Sequence, residues 1–331
     1  MHGRLWRRML RIAVVVVTLL VAGVCLAEAD VLFGATGSRG VRGELVLLNT
    51  TNGAPLVIGR LIDGFGRPYG ITGLAFQPGT NVLFGSTAGV SPTAPGHLVE
   101  IDPTTATVTD VGSFGLDDNA TMSDITFDPT SGGNSGVTDD FYTINLITGA
   151  ATALGPTGVG HTFGGGLAAN ATGTIFGTPR GANRRLFTYN KTTGVATAVA
   201  LMAGAPFHTM SDTINALAFD SLGTLFGINS NGQAHTHLIT INPTTGVIMD
   251  VGLSLDNLDA IAFHPATPFH PALFPWHFFG APGQASCSGQ QLTALVAQFG
   301  DLETAAFAFG FASIQELLDA MRGIDAFCGP W

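Results

Sequence analysis

The sequence predicts an all-β fold, a five-bladed β-propeller, with a small helical module at the C-terminal end. Three repeated phrases predict the propeller. A turn that starts with Asn or Asp and ends four residues later with Gly or Ala recurs every 43–53 residues, at 49–53, 102–106, 145–149, 190–194 and 242–246. A Leu/Ile-Phe-Gly phrase recurs at 32–34, 83–85, 175–177 and 225–227. A Leu-Ala-Phe type of strand precedes the later copies, at 71–76, 165–169 and 214–219, with a related strand at 123–127.

Each unit therefore holds four short strands, which are the Leu-Ala-Phe strand, the Leu-Phe-Gly strand, the strand into the turn and the strand out of it. Units of four strands at this period are typical of propeller blades. The first unit begins on its second strand, and the missing strand occurs alone at 258–263. Pairing this last strand with the first unit closes a ring of five blades and removes exposed sheet edges.

The third unit is irregular, because residues 130–136 replace the Leu-Phe-Gly phrase. We therefore expect that blade to have three strands, or an irregular loop in place of its second strand.

The turns have a clear chemistry. An Asn or Asp side chain accepts hydrogen bonds from backbone N–H groups two residues on, and a Gly supplies the left-handed residue that closes the hairpin. Ala106 is the one departure at the Gly position, and it should cost a little strain or force a different loop.

These repeats resemble those of exported bacterial β-propellers that carry a Leu-x-x-Ile-Asp-Pro-x-Thr-Gly hairpin and a Gly-Leu-Ala-Phe-x-Pro inner strand. The matching phrases here are Leu98 to Pro103 and Gly73 to Pro78. The resemblance covers residues 30 to about 265. It implies the fold and export, and it brings no catalytic residue to transfer.

Residues 1–29 are predicted to be a signal peptide. Four Arg residues precede an apolar run at 12–24, and Ala27-Glu28-Ala29 offers a cleavage site before Asp30. A run of about 13 apolar residues is too short to span a bilayer comfortably. We expect a secreted or periplasmic protein with no transmembrane span after cleavage, with a twin-arginine or lipoprotein signal as alternatives.

The composition and the spacing of apolar residues change after the repeats. Residues 266–286 form a linker rich in Pro and aromatic residues, whose rings we expect to pack on the propeller. Residues 287–331 show helical periodicity, with apolar residues at i, i+3, i+4 and i+7 from Leu292. Cys287 and Cys328 remain after export, so the expected form of this tail is a helical module closed by one disulfide.

Charge and motifs exclude some functions. The net charge is −10, which leaves no basic face for nucleic acid. No Gly-x-Ser-x-Gly, His-Glu-x-x-His, phosphate-loop or EF-hand pattern is present, so no catalytic residue is assigned. We expect a monomer that binds protein or carbohydrate.

Candidate ligand-binding residues come from position in the fold. The loops that lead into the inner strands should gather at one mouth of the central channel, and they carry polar residues: Asp118, His161, His208, Asp212 and Asp259. Such side chains could bind a metal or a sugar, or act as acid and base. The alternative, which we favour, is that they are solvated loop residues. The strand pair His235 and His237 is likewise more typical of a surface than of a metal site.

Two functions follow from these observations. The sequence favours an exported, non-enzymatic propeller that acts as a binding scaffold for protein or glycan, and it predicts no cofactor. The alternative is a propeller hydrolase or lactonase with a cation such as calcium at the channel mouth, for which Asp118, Asp212 and Asp259 would supply the carboxylates.

Overall fold

The computed structural model describes residues 30–37, 39, 42–80, 82–116, 121–159, 165–179, 184–204, 213–230 and 236–264. Regular secondary structure in these ranges is entirely β. The strands are β1 (Leu32–Thr36), β2 (Glu44–Leu48), β3 (Pro55–Arg60), β4 (Ile71–Phe76), β5 (Leu83–Thr87), β6 (His97–Ile101), β7 (Val108–Ser113), β8 (Asp124–Phe127), β9 (Asn134–Val137), β10 (Asp140–Ile144), β11 (Ala151–Pro156), β12 (Gly166–Ala169), β13 (Ile175–Thr178), β14 (Arg185–Tyr189), β15 (Ala196–Leu201), β16 (Thr213–Phe219), β17 (Leu225–Ser230), β18 (Thr236–Ile241), β19 (Ile248–Leu253) and β20 (Leu258–Phe263).

The strands form five antiparallel sheets of four, which are the blades. Blade 1 is β20-β1-β2-β3, and blades 2 to 5 are β4–β7, β8–β11, β12–β15 and β16–β19. The first strand of each blade is the inner one. The inner strands β20, β4, β8, β12 and β16 contact one another in sequence around a closed ring. The prediction of a five-bladed propeller is confirmed.

Ring closure takes place in blade 1, where the end of the described chain pairs with its beginning. Strand β20 is antiparallel to β1, with Leu32 opposite Phe263 and Gly34 opposite Ile261. The His264 N–H also donates to the Val31 carbonyl at 2.9 Å. This is the closure that the sequence predicts, and it leaves the chain at the face of the ring where the inner strands end.

The prediction for the third blade is wrong, because that blade has four strands. Strand β9 pairs with both β8 and β10. Gly136 lies opposite Ile125, as Gly85 lies opposite Leu74 in blade 2. The Asp128 carboxylate organises the preceding turn by accepting the Thr130 N–H at 2.9 Å. Ladder hydrogen bonds are made by the backbone, so the strand forms without the Leu-Phe-Gly phrase.

The predicted turn chemistry is confirmed at the rim. In all five turns the Asn or Asp side chain accepts the N–H two residues on, at 2.8–2.9 Å. Ala106 keeps the same loop as the Gly copies: its φ is 60°, and its N–H donates to the Asp102 carbonyl at 2.8 Å. Ala106 therefore adopts the same loop at the cost of local strain, which is the first of the two outcomes expected from the sequence.

The predicted signal peptide, the linker at 266–286 and the helical module with Cys287 and Cys328 all lie outside the described residues. Within the described ranges, no helix has the length and apolar character needed to cross a membrane.

Candidate functional site

Most of the predicted channel-mouth residues lie outside the described part of the chain. These are Asp118, His161, His208 and Asp212. Asp259 is described, and it is a buried residue of β20. The arrangement of the five is therefore not tested, and their binding role stays a prediction.

Of the two strand histidines singled out in the sequence, His237 is the one that the structure describes. His235 lies outside the described residues. His237 is on β18, and its Nδ1 lies 3.1 Å from Asp250 Oδ1 on the neighbouring strand β19. Blade 2 has the same arrangement, with His97 Nδ1 2.9 Å from Asp110 Oδ1. These exposed pairs are repeated cross-strand contacts of two blades.

The channel axis holds a carboxylate that the sequence analysis did not single out. Asp124 begins β8 and is fully buried. Its Oδ1 accepts the Ile125 N–H at 2.8 Å, and its Oδ2 accepts the Leu167 N–H of blade 4 at 2.8 Å. The backbone N–H groups of Leu217 and Leu74 also face it, so groups of four blades surround this one side chain.

The ionisation of Asp124 is set by two opposing effects. Complete burial raises the pKa of its carboxyl well above the usual range, and the four backbone N–H groups partly offset that rise. No room remains beside it for a bulkier neighbour. A Cβ at Gly73 would lie 2.7 Å from Asp124 Oδ1. Asp124 therefore links the inner strands of neighbouring blades by accepting hydrogen bonds from their backbone N–H groups.

Asp124 is one of three blade 3 side chains that bind blade 4. They alternate along β8 and the residue after it. Thr126 Oγ1 accepts the Ala169 N–H at 3.1 Å, and Asp128 Oδ2 accepts from Lys191 Nζ at 2.6 Å. Because residues two apart share a face of a strand, one face of β8 and of the residue after it supplies all three contacts. We call this contact between blades 3 and 4 the polar seam.

The outermost contact of the polar seam carries a charge. The Asp128 side chain is 4% exposed, and it also accepts hydrogen bonds from the hydroxyls of Thr130 and Ser131 at 2.7 and 2.9 Å. Burial raises the pKa of Asp128, but the Lys191 ammonium and these hydrogen bonds outweigh burial and hold it well below its usual range. Asp128 is ionised in the folded protein at neutral pH.

Comparing the copies of the repeat would have found the seam. The residues at the Asp124 position in the other inner strands are Gly73, Gly166, Ala216 and Ala260. At the Thr126 position they are Ala75, Ala168, Ala218 and Ala262. Blade 3 alone places polar side chains where the other blades have small apolar ones.

An open cavity of about 130 Å³ lies at the face where the inner strands end. It is lined by residues of all five inner strands, including the rings of Phe76, Phe127, Phe219 and Phe263. This is the end of the channel opposite to the mouth predicted from the sequence. Thr126 is the polar side chain among the lining residues.

A second exposed feature lies between blades 1 and 2. The connection from β3 to β4 forms a tight hairpin at residues 62–68, in which Ile62 pairs with Pro68. The Asp63 carboxylate accepts the N–H groups of Phe65 and Arg67 at 3.0 and 2.9 Å, and Arg67 Nε at 2.6 Å. The Phe65 ring at the tip is 88% exposed. The Arg67 guanidinium lies 5.4 Å from its centroid. We call residues 62–68 the Phe65 hairpin.

Within the described residues, no group of three or more His, Cys, Asp and Glu side chains is arranged to hold a metal ion.

Comparison with known proteins adds the following. No family model matches the chain, and no curated protein matches it. Solved structures of similar shape include a chain of a nidogen/laminin complex, with 12% identity over 72% of this chain and 98% of that chain and a TM-score of 0.45. A protein of unknown function from Bacteroides caccae is 12% identical over 72% of this chain and 100% of that chain, with a TM-score of 0.41. TolB from Acinetobacter baumannii is 13% identical over 69% of this chain and 54% of its own, with a TM-score of 0.42. These likenesses carry no argument about function, and the propeller fold rests on the strand pairings above.

Proposed function

We propose that this protein is an exported, non-enzymatic β-propeller that binds a protein partner through the Phe65 hairpin. One observation carries the proposal: the hairpin holds an aromatic ring in water on a fixed backbone. Three hydrogen bonds to Asp63 fix the backbone and the Arg67 side chain. Export is supported by the predicted signal peptide and by the resemblance of the repeats to exported bacterial propellers.

The chemistry of the hairpin favours a protein partner. Exposing a Phe ring forgoes roughly 1.5–3 kcal/mol of burial, which a partner that covers the ring would recover. Aromatic rings and Arg side chains are enriched in protein interfaces, and Arg is prominent among the residues that dominate binding energy. A backbone already fixed before binding also reduces the entropy cost of association.

The surface beside the hairpin adds polar groups for a rim. The hydrogen bond from Arg67 to Asp63 and the charge of Asp63 raise the pKa of Arg67, and the Asp110 carboxylate adds a smaller contribution in the same direction. His97 contacts Asp110 on the neighbouring strand. An apolar centre with charged groups around it is the usual anatomy of a protein-binding patch.

Site-specific photo-crosslinking tests this proposal. A benzophenone amino acid is placed at position 65 of the full chain, in cells that produce the protein, and at position 147 as a control. Ile147 is 87% exposed at a rim turn, so its accessibility matches that of Phe65. We expect a discrete protein adduct from position 65 that is absent from position 147 and is lost with Arg67→Ser. Glycan adducts, or the same adducts from both positions, would contradict a protein partner at this hairpin.

Affinity measurements then test how much Phe65 contributes to binding. With the crosslinked partner purified, Phe65→Ser should weaken binding about 30-fold, which corresponds to about 2 kcal/mol. Ile147→Ser should leave the dissociation constant unchanged. Equal effects of the two substitutions would remove the hairpin from the interface.

The hydrolase or lactonase alternative remains a prediction from the sequence. Asp118 and Asp212, on which it depends, lie outside the described residues.

A further inference from the structure

The cavity at the end of the channel borders the position of a ring that the repeat lacks. Four inner strands end in Phe, at positions 76, 127, 219 and 263, whereas β12 has Ala169 at the matching position. Each of the four rings packs on a Phe of the second strand in the preceding blade, with centroids 5.3–5.7 Å apart. The corresponding second-strand position before Ala169 is Ser135. Both members of one ring pair are therefore missing.

The size and lining of the cavity suit one aromatic ring. Its volume is about 130 Å³, and an apolar cavity of about 150 Å³ accommodates a benzene molecule. The rings around it are fixed, because Phe76 packs against Phe33 at 5.3 Å and Phe263 packs against Phe226 at 5.3 Å. The site is thus preformed and apolar on most sides.

The walls also present backbone donors. The N–H groups of Gln77, Asp128, Asn170 and Asp220 donate to their own blades. Because N–H directions alternate along a strand, the N–H groups of Phe76, Phe127 and Phe219 point away from their own blades, whereas the Ala169 N–H donates to Thr126 Oγ1 at 3.1 Å. A segment rich in Pro would bring carbonyl acceptors without adding donors of its own.

The chain leaves the propeller at the edge of this cavity. Phe263 is a lining residue, and the ring of the next residue, His264, packs on the lining ring of Phe76 at 4.8 Å. Sixty-seven residues follow His264, beginning with Pro265-Ala266-Thr267-Pro268-Phe269. Five residues can span up to about 17 Å, so Phe269 can reach the cavity.

We propose that the start of the C-terminal segment docks in this cavity, with the Phe269 ring filling the place of the ring that blade 4 lacks. Phe269 is favoured over the later aromatic residues because the shorter loop loses less entropy on closure. Its tether to β20 also gives it a high effective concentration at the site. The C-terminal segment is thereby held against the face where the inner strands end.

Intramolecular photo-crosslinking of the full chain tests the proposal. A benzophenone amino acid at position 269 should form adducts with lining residues such as Ala169 and Phe127, identified by peptide mapping. The matched control is the same amino acid at position 279, another Phe of the linker, which should not react with the lining. Adducts from 269 elsewhere, adducts only to a second copy, or lining adducts from 279 alone would each overturn it.

Stability gives a second, independent measurement. Phe269→Ala should lower Tm by about 2–4 °C, since docking stabilises only the folded state, and Phe279→Ala should not. Ala169→Phe restores the ring in the repeat, so it should abolish the crosslink and make Phe269→Ala silent. A Tm loss from Phe269→Ala that persists in the Ala169→Phe background would overturn the assignment. If Ala169→Phe does not fold, the crosslink from position 269 decides alone.

Discussion

The five contacts between neighbouring blades are of two chemical kinds at the inner strands. At four of them a Phe of the second strand packs on the terminal Phe of the next inner strand, as Phe84 does on Phe127 at 5.7 Å. At the polar seam, between blades 3 and 4, this pair of rings is absent, and the aromatic contact that the structure describes between the two blades is Phe141 stacked on Tyr189 at 5.3 Å, on their third strands. Asp124, Thr126 and Asp128 instead reach across to the backbone and to Lys191.

The difference teaches that a repeat protein can be closed by unequal contacts. The Phe–Phe contacts are stabilised by buried apolar area and by the relative orientation of the rings, and they contain no hydrogen-bonding group. The polar seam depends on every partner being present, because a buried donor without an acceptor costs about 1–3 kcal/mol. We therefore expect the polar seam to be the more sensitive contact to single substitutions and to pH.

The largest effect should come from Asp124→Ala. At least two backbone N–H groups lose their acceptor at once, and a buried space is left, so we expect a loss of about 3–5 kcal/mol in the free energy of unfolding. Urea denaturation followed by circular dichroism measures it. Asp110→Ala, at an exposed carboxylate, is the control and should change stability by less than about 0.5 kcal/mol. Equal stability of the two variants would show that Asp124 is not needed at the axis.

How much of this could be predicted from the sequence depends on whether a feature repeats. The five turns and the closing strand recur, so the sequence predicted the ring and its closure. Strand β9 was missed because its residues carry no apolar phrase. Asp124 was missed because its partner, the Leu167 N–H, is a backbone group that every sequence has. Its signal lies in the comparison of copies, as a single Asp among Gly and Ala.

The second prediction uses pH to separate the two kinds of contact. The pKa of Asp128 is lowered in the fold, so its stabilising effect is full above the unfolded value of about 3.9 and is lost progressively as the pH falls from there through the lower pKa of the folded state. Asp128→Asn should cost about 2 kcal/mol at pH 7, and the difference from the wild type should shrink toward pH 3. Urea denaturation at both pH values measures this, and a difference that stays constant with pH would contradict it.

The contribution of an aromatic contact to stability should not depend on pH. Phe84→Leu keeps much of the apolar volume but loses the ring contact with Phe127, so we expect a loss of about 1 kcal/mol. No titrating group takes part, so the loss should be the same at pH 7 and pH 3. A pH-dependent loss comparable with that of Asp128→Asn would remove the distinction between this aromatic contact and the polar seam.

The smallest effect should come from the rim, where all blades use the same turn. A Cβ on Gly59 would lie 3.4 Å from the Ala106 Cβ, so Ala106 belongs to the contact between blades 1 and 2. Ala106→Gly relieves a left-handed residue, a gain of about 1–2 kcal/mol, but it loses a buried methyl worth about 0.8 kcal/mol and adds freedom to the unfolded chain. We expect a net change within about 0.5 kcal/mol by urea denaturation. A larger change in either direction would mean that the rim turn of one blade affects stability as strongly as the contacts between blades do.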